Sequence, residues 1–213
     1  MKTLLVKNYL RLAGLCCLAG WSVLSGGTGL QADDKAGEEG QIALIRQYYA
    51  EVEALQELQK VDIEFRCQGD PMEGVLTKRL KRDSGKVVRL DLGYLAGDHG
   101  GADEMYYYRE GKLFFILVSA SWWQFSGQKE GETIDTMRER RYYFSKGQCI
   151  RVLEKKVTSK KQDQLRGLIS KAENHELDLN GEEIRGDIAA VMKKASVLPT
   201  LKDARAVTKF FCE

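Results

Sequence analysis

The first regular pattern in the chain is a helical one, between Glu38 and Lys60. Its apolar residues recur three and four positions apart, which places them on one stripe of a helix, while charged and amide side chains fill the other positions. The stripe residues are Ile42, Ile45, Tyr49, Val52, Leu55 and Leu58. Acidic Glu38 and Glu39 suit the positive end of a helix dipole. The pattern predicts an amphipathic helix over 38–60.

The period then shortens to two, and this alternation continues to about residue 157. Val61, Ile63 and Phe65 alternate with charged residues, which is typical of a strand with one buried face. Glycine-containing turns interrupt the alternation, so 61–157 predicts an antiparallel β-meander of about seven strands. Two further apolar stripes predict helices within 159–211. We therefore expect an α+β fold in which the C-terminal helices pack on the sheet.

Three segments of the meander share one residue pattern. They read LKRDSGKVVRLD at 80–91, YYYREGKLFFIL at 106–117 and YYFSKGQCIRVL at 142–153. Each carries a glycine at its centre, and glycine supplies the positive φ that a short hairpin loop needs. The sequence therefore predicts three repeated hairpins.

One position breaks this repeat. Phe115 stands where the sister hairpins carry Arg89 and Arg151, and Leu113 and Leu117 make the same face of the middle hairpin apolar. Such a face is either covered or available to a partner. We expect the C-terminal helices to cover it, with a partner-binding surface as the alternative.

The tandem hairpins resemble the Tyr- and Gly-rich β-hairpin units of bacterial envelope proteins and, more distantly, MORN-type repeats. The matching residues are Tyr106, Tyr107, Gly111, Lys112 and Leu113, then Tyr142, Tyr143, Phe144, Gly147 and Ile150. The copies are spaced by 26 and then 36 residues, which departs from the regular step of MORN arrays. The resemblance implies architecture, and no catalytic residue is carried over with it.

The first 32 residues predict export. Basic residues precede an apolar run at 12–24, and small residues follow it up to Ala32, which is the layout of a secretory signal peptide. The run is shorter than the roughly 20 residues that a membrane-spanning helix needs. We expect cleavage within 27–32, preferably after Ala32, and a periplasmic or secreted mature domain over 33–213 without a transmembrane helix. An uncleaved N-terminal membrane anchor is the alternative.

Removal of the signal changes the charge balance. The whole chain has 33 Lys and Arg against 31 Asp and Glu, and the first 32 residues contain three of the bases and none of the acids. The mature chain is therefore nearly neutral, with a formal charge of −1, which gives no general attraction for nucleic acid. The sequence leaves the oligomeric state open.

Three cysteines remain after export: Cys67, Cys149 and Cys212. An oxidising compartment permits one disulfide among them and leaves one thiol over, and the sequence does not identify the pair. Cys149 occupies the position of Val87 and Leu113 in the other hairpins. We therefore expect it to be a small core residue.

The connection at 92–105 holds four candidate metal ligands, Asp98, His99, Asp103 and Glu104. Carboxylates in a glycine-rich loop suit a hard cation such as Ca²⁺, and His99 offers a nitrogen ligand. The same residues also suit a solvated connection between hairpins. We expect such a connection without a metal or other cofactor; a hydrolase-like or metal-binding enzyme using Asp98, His99 and Asp103 is the alternative.

An aromatic cluster follows the apolar strand of the middle hairpin. Neighbouring strand residues point to opposite faces, so Trp122 and Trp123 cannot enter the same core face. Trp and Tyr are favoured in contact sites. The candidate partner-binding residues are Trp122, Trp123, Phe125, Phe115, Tyr106 and Tyr108.

The function predicted from these residues is a non-enzymatic module that binds a protein or another envelope component. A cleft that converges on Asp98, His99 and a further polar side chain would favour the enzyme alternative. An aromatic surface without converging titratable groups would favour binding.

Overall fold

A computed structural model describes the backbone of residues 29–213 and the side chains of 37–213. The predicted signal peptide at 1–32 lies outside the described residues except for its last four. None of the described helices is both long and apolar enough to cross a membrane.

The fold is α+β, with one antiparallel sheet whose eight strands pair in chain order, as in a meander. The strands are β1 Leu58–Arg66, β2 Met72–Lys81, β3 Val87–Ala96, β4 Gly100–Arg109, β5 Lys112–Phe125, β6 Thr133–Ser145, β7 Gln148–Ser159 and β8 His175–Glu176. The helices are α1 Gly29–Glu53, α2 Leu165–Lys171, α3 Glu182–Val197 and α4 Ala204–Cys212. Short 3-10 turns precede α2 and α4.

The sequence misplaced the end of the N-terminal helix. It was expected to reach residue 60, but α1 ends at Glu53 and residues 58–60 already belong to β1. Leu58, Gln59 and Lys60 pair with residues 79–81 of β2. The backbone groups of these residues form hydrogen bonds with β2 instead of continuing the helix. The apolar stripe continues to Leu58 and therefore does not reveal that strand pairing competes with the helix here.

The three hairpins β2–β3, β4–β5 and β6–β7 turn at glycines with positive φ: Gly85, Gly111 and Gly147. In each hairpin the register of the two strands shifts by one residue between the turn and one cross-strand pair. That pair is Arg79↔Arg89 in the first hairpin, Tyr107↔Phe115 in the second and Tyr143↔Arg151 in the third. The shift is a β-bulge that leaves Val88, Phe114 or Ile150 as the extra residue.

Because of the bulge, the residues on its turn side lie on the opposite face of the sheet from the one that simple alternation predicts. Strict alternation along β5 and β7 would place Phe114 on the same face as Ile116, and Ile150 on the same face as Val152. Instead, Phe114 and Ile150 pack in the same cluster as Phe115, because the extra residue restarts the alternation.

Two hydrophobic clusters lie on opposite sides of the sheet. On the side we call the α3 face, the residues from α3, the following turn and α4 are Ile184, Val191, Ala195, Leu198 and Val207. On the side we call the α1 face, Ile42 and Ile45 of α1 pack against Tyr107, Phe115 and Tyr143. The C-terminal helices α3 and α4 thus pack on the sheet, on the side opposite α1.

Phe115 is covered, but by a different helix from the one expected. It is 6% exposed, and its ring meets that of Tyr49 in α1 edge-on at 5.5 Å. Tyr106 and Tyr108 are also buried, on the α3 face, where the Tyr108 hydroxyl donates to the Ala195 carbonyl at 2.8 Å. These three candidate contact residues are therefore part of the core.

The two arginines equivalent to Phe115 also contact α1, on either side of Tyr49. Arg89 pairs with Glu53 at 2.6 Å. Arg151 pairs with Glu38 at 2.7 Å and with Glu39 at 2.6 Å. The same position in three hairpins therefore holds α1 across the sheet, through ion pairs at Glu38, Glu39 and Glu53 and through aromatic packing at Tyr49 between them.

A disulfide joins Cys67 to Cys212, with their Cα atoms 5.4 Å apart. It ties the end of α4 to the residue that follows β1, where Phe65 and Phe211 stack with ring centroids 4.8 Å apart. Cys149 stays free and packs against the cluster on the α3 face, and its burial raises the pKa of the thiol to about 11.

Candidate functional site

The candidate site is a cleft of about 370 Å³ at the end of the sheet remote from the three hairpin turns. It lies between the β3–β4 turn and α2, and we name it the Trp123 cleft. Residues that line it include Asp98, His99, Asp103, Ser121 and Trp123. Two segments that the sequence offered as separate candidates, the acidic loop and the aromatic cluster, meet here.

Glycines at the start of β4 bring these segments together. A Cβ atom on Gly100 would lie 2.3 Å from the Ser121 carbonyl oxygen, so a larger residue cannot take this position without a shift of the backbone. The Trp123 amide donates to the His99 carbonyl at 3.0 Å, and its indole N–H donates to the Asp98 carbonyl at 2.7 Å. The β3–β4 turn is thereby fastened over Trp123.

The rings of His99 and Trp123 stack, with centroids 4.3 Å apart and planes 26° from parallel. Phe125 meets Trp123 edge-on at 5.3 Å and is 66% exposed. The result is an aromatic surface at the edge of the cleft. Exposed aromatic area beside polar groups is characteristic of contact sites.

The cleft carries more acidic than basic groups. Asp98, Asp103 and Asp135 line it, and among the described residues none of the three pairs with a Lys or an Arg. Arg166 of α2 is the single Lys or Arg among its described lining residues. The hydroxyls of Ser119 and Ser121 add neutral hydrogen-bonding groups.

The four candidate metal ligands do not converge. Asp103 and Glu104 are neighbours in β4 and therefore point to opposite faces, Asp103 to the cleft and Glu104 to the α3 face. The Glu104 side chain is 3% exposed and accepts hydrogen bonds from the hydroxyls of Tyr94 and Tyr106 and from Lys194 at 2.5 Å. In the part of the chain that the structure describes, no group of three His, Cys, Asp or Glu is arranged to hold a metal ion.

Asp98 and His99 do line the cleft, but what orients the His99 ring is its stack on Trp123 rather than a buried hydrogen-bond partner. His99 Nε2 lies 3.6 Å from the Asp98 carboxylate, and the two side chains are 65% and 85% exposed. A catalytic histidine is normally oriented by a buried partner and lies within hydrogen-bond reach of a nucleophile. This pair has no such partner among the described residues.

The neighbouring tryptophans point to opposite faces, as strand geometry requires. Both residues line part of the cleft, but the Trp122 ring lies near Arg138 and Lys156, with their charged groups 5.6 and 5.9 Å from its centroid. Arg138 is on the same side of β6 as Arg140, which contacts α3. Trp122 therefore belongs to the α3 side of the sheet.

Sequence reasoning missed Asp135, Ser121 and Arg166, because they come from β6, β5 and α2 and only the folded chain brings them together. One signal was present. After Leu117, positions 119 and 121 of β5 change from apolar residues to serine, which marks where the apolar α1 face gives way to a polar surface.

Comparisons with protein-family models, with curated proteins and with solved structures gave no match to this chain.

Proposed function

We propose that this protein is an exported, non-enzymatic binding module of the bacterial envelope that binds its partner at the Trp123 cleft. The observation that carries the proposal is the combination of exposed aromatic area at Trp123 and Phe125 with carboxylates that have no basic partner within the described part of the chain. A concave site with an aromatic wall and a few polar side chains is the usual form of a binding site. The partner is a protein or another envelope component.

The disulfide supports the export part of this proposal. Structural disulfides form and persist in oxidising compartments and are rare in the cytosol of most organisms. Cys67 and Cys212 are 145 residues apart in sequence, so their bond closes most of the 33–213 domain that we propose as the mature protein into one covalent loop. It supports a periplasmic or secreted location, with N-terminal anchoring as the alternative.

We further propose that the three hairpins are copies of one unit, as their resemblance to Tyr- and Gly-rich envelope repeats implies. The support is the β-bulge at the same distance from each matched pair and the shared contact of Arg89, Phe115 and Arg151 with α1. In this proposal the repeat builds a platform for α1 and leaves the opposite end of the sheet free for binding.

The test compares three forms of the protein as bait in native envelope extract: the wild type, Trp123→Ala and Leu168→Ala. Leu168 is a matched control, because it is an apolar residue on α2 that is 42% exposed and does not line the cleft. We expect Trp123→Ala to reduce capture of the partner roughly tenfold or more, as hot-spot truncations do. Equal capture by all three folded forms would remove the cleft from the proposal.

An enzyme that uses Asp98, His99 and Asp103 is the second candidate, since all three residues line the same cleft. The exposure of Asp98 and His99 favours binding instead, because general acid–base catalysis needs groups held in a defined geometry. Hydrolysis of a panel of chromogenic esters by the wild type, lost in His99→Gln, would reverse this order of preference.

A further inference from the structure

Two basic side chains face each other on the α3 side of the sheet. Arg138 of β6 and Lys156 of β7 are direct cross-strand partners. Like charges in such positions repel each other and destabilise a sheet. Both groups lie within 6 Å of the Trp122 ring, at 5.6 and 5.9 Å from its centroid. A strand pair shaped by stability alone would place an acidic residue at one of these two positions.

Arg140, two residues further along β6, shows how a cation on this face is neutralised by carboxylates. Arg140 is bonded to Glu154 at 2.6 Å, to Glu183 at 3.1 Å and to Asp187. In the part of the chain that the structure describes, neither Arg138 nor Lys156 forms an ion pair. Arg140 therefore pairs with three carboxylates, whereas no described carboxylate pairs with Arg138 or Lys156 beside it.

This cluster is neutral in total but polarised. Its three acids contact Arg140, whereas the charged groups of Arg138 and Lys156 lie beside the Trp122 ring. The pKa of the Glu183 carboxyl is held below its usual range, first by the hydrogen bond from Arg140 and also by the charges of Arg138 and Lys156. The end of the cluster beside Trp122 thus presents positive charge.

Small residues leave room beside the ring. Trp122 stands opposite Thr136 in the adjacent strand, and Ala120 stands opposite Arg138. Trp122 and Arg138 are partly exposed, and Lys156 is exposed. A ligand approaching from this side therefore reaches both charged groups and the ring.

We propose that Arg138 and Lys156 bind a phosphate group beside the Trp122 ring. A phosphomonoester carries a charge of about −1.5 to −2 at neutral pH, which matches two converging cations better than a single carboxylate does. Arginine binds such oxygens through two parallel N–H donors, and lysine adds a point charge. The phosphate removes the repulsion between the two cations, which is the physical reason for the site.

This site is distinct from the Trp123 cleft, because Arg138 and Lys156 do not line that cleft, although Trp122 lies at both. Failure of either proposal leaves the other standing.

The experiment titrates inorganic phosphate into the purified protein at low ionic strength and follows the indole N–H signal of Trp122 by NMR. We expect saturable binding with a Kd of about 1 mM, or −4.1 kcal/mol. The double variant Arg138→Gln/Lys156→Gln should bind at least tenfold more weakly. Lys112→Gln, which removes one charge at the exposed start of β5, should change the Kd by less than about twofold.

Three results would overturn the proposal: no saturable shift of the Trp122 signal, equal weakening by Lys112→Gln, or acetate binding as tightly as phosphate, which would indicate a carboxylate site. Cosedimentation with phosphatidylcholine vesicles distinguishes the source of the phosphate. Binding only when the vesicles contain phosphatidic acid identifies a lipid headgroup. Binding of inorganic phosphate without binding to either vesicle identifies a water-soluble phosphate ester.

Discussion

At the scale of single residues, Arg89, Phe115 and Arg151 occupy the same position in the three hairpins. All three side chains contact α1, although their chemistry differs. Where α1 carries glutamates, at 38, 39 and 53, the hairpin position is an arginine that pairs with them. Between these glutamates α1 carries Tyr49, and there the hairpin position is a phenylalanine that packs against its ring. The residue that breaks the repeat is therefore matched to the part of α1 above it.

Phe115→Arg should accordingly destabilise the protein, although it restores the residue of both sister hairpins. The substitution places a guanidinium among the rings of Tyr49, Tyr107 and Tyr143. We expect a loss of about 3 kcal/mol or more in the free energy of unfolding. That loss corresponds to a fall in Tm of roughly 6 °C or more for a domain of this size. Thermal melting followed by circular dichroism measures it.

Phe125→Arg is the matched control, because the same replacement at a residue that is 66% exposed should change stability by about 0.5 kcal/mol or less. A Phe115→Arg variant that melts together with Phe125→Arg would show that α1 does not cover this face in solution.

At the scale of elements, the sequence predicted the strands and turns well, because the period of two and the turn glycines act locally. The β-bulges escaped prediction, since Phe114, Phe115 and Ile116 are all apolar and no polar residue marks the restart of the alternation. The covering of Phe115 by α1 was also missed: both α1 and the C-terminal helices have apolar stripes, and long-range packing decides between them. For the same reason the acidic loop and Trp123 were each identified, but their stacking was not.

The disulfide should stabilise the folded protein strongly through α4. A cross-link that closes a loop of 145 residues restricts the unfolded chain, and removal of a native disulfide typically costs about 2–5 kcal/mol. We expect a reductant to lower the Tm of the wild type, and Cys67→Ser to melt at the lower temperature with or without reductant. Melting curves recorded with and without dithiothreitol make the measurement.

Cys149→Ser tests whether the assignment of the pair is correct. This variant keeps the Cys67–Cys212 bond, so its Tm should still fall on addition of reductant. Loss of the reductant effect in Cys149→Ser would mean that Cys149 takes part in the stabilising bond.

At the scale of the whole molecule, the prediction concerns where the mature chain begins. Protein recovered from the envelope fraction should start near Asp33, because cleavage after Ala32 follows the small-residue stretch that signal peptidases favour. N-terminal sequencing measures this directly. Intact Met1 in envelope protein would support the membrane-anchored alternative, and intact Met1 in the cytoplasm would contradict export.

The attachment of α1 has a consequence for the order of events during synthesis. The helix is made first, yet Glu53 bonds to Arg89, 36 residues later, and Glu38 bonds to Arg151, 113 residues later. Contacts of such long sequence separation form slowly and only after the intervening chain exists. Until β7 emerges from the ribosome, α1 has no complete surface on which to dock. If the chain is exported as we propose, α1 would therefore remain undocked for most of translation, so that the fold could not close before export begins.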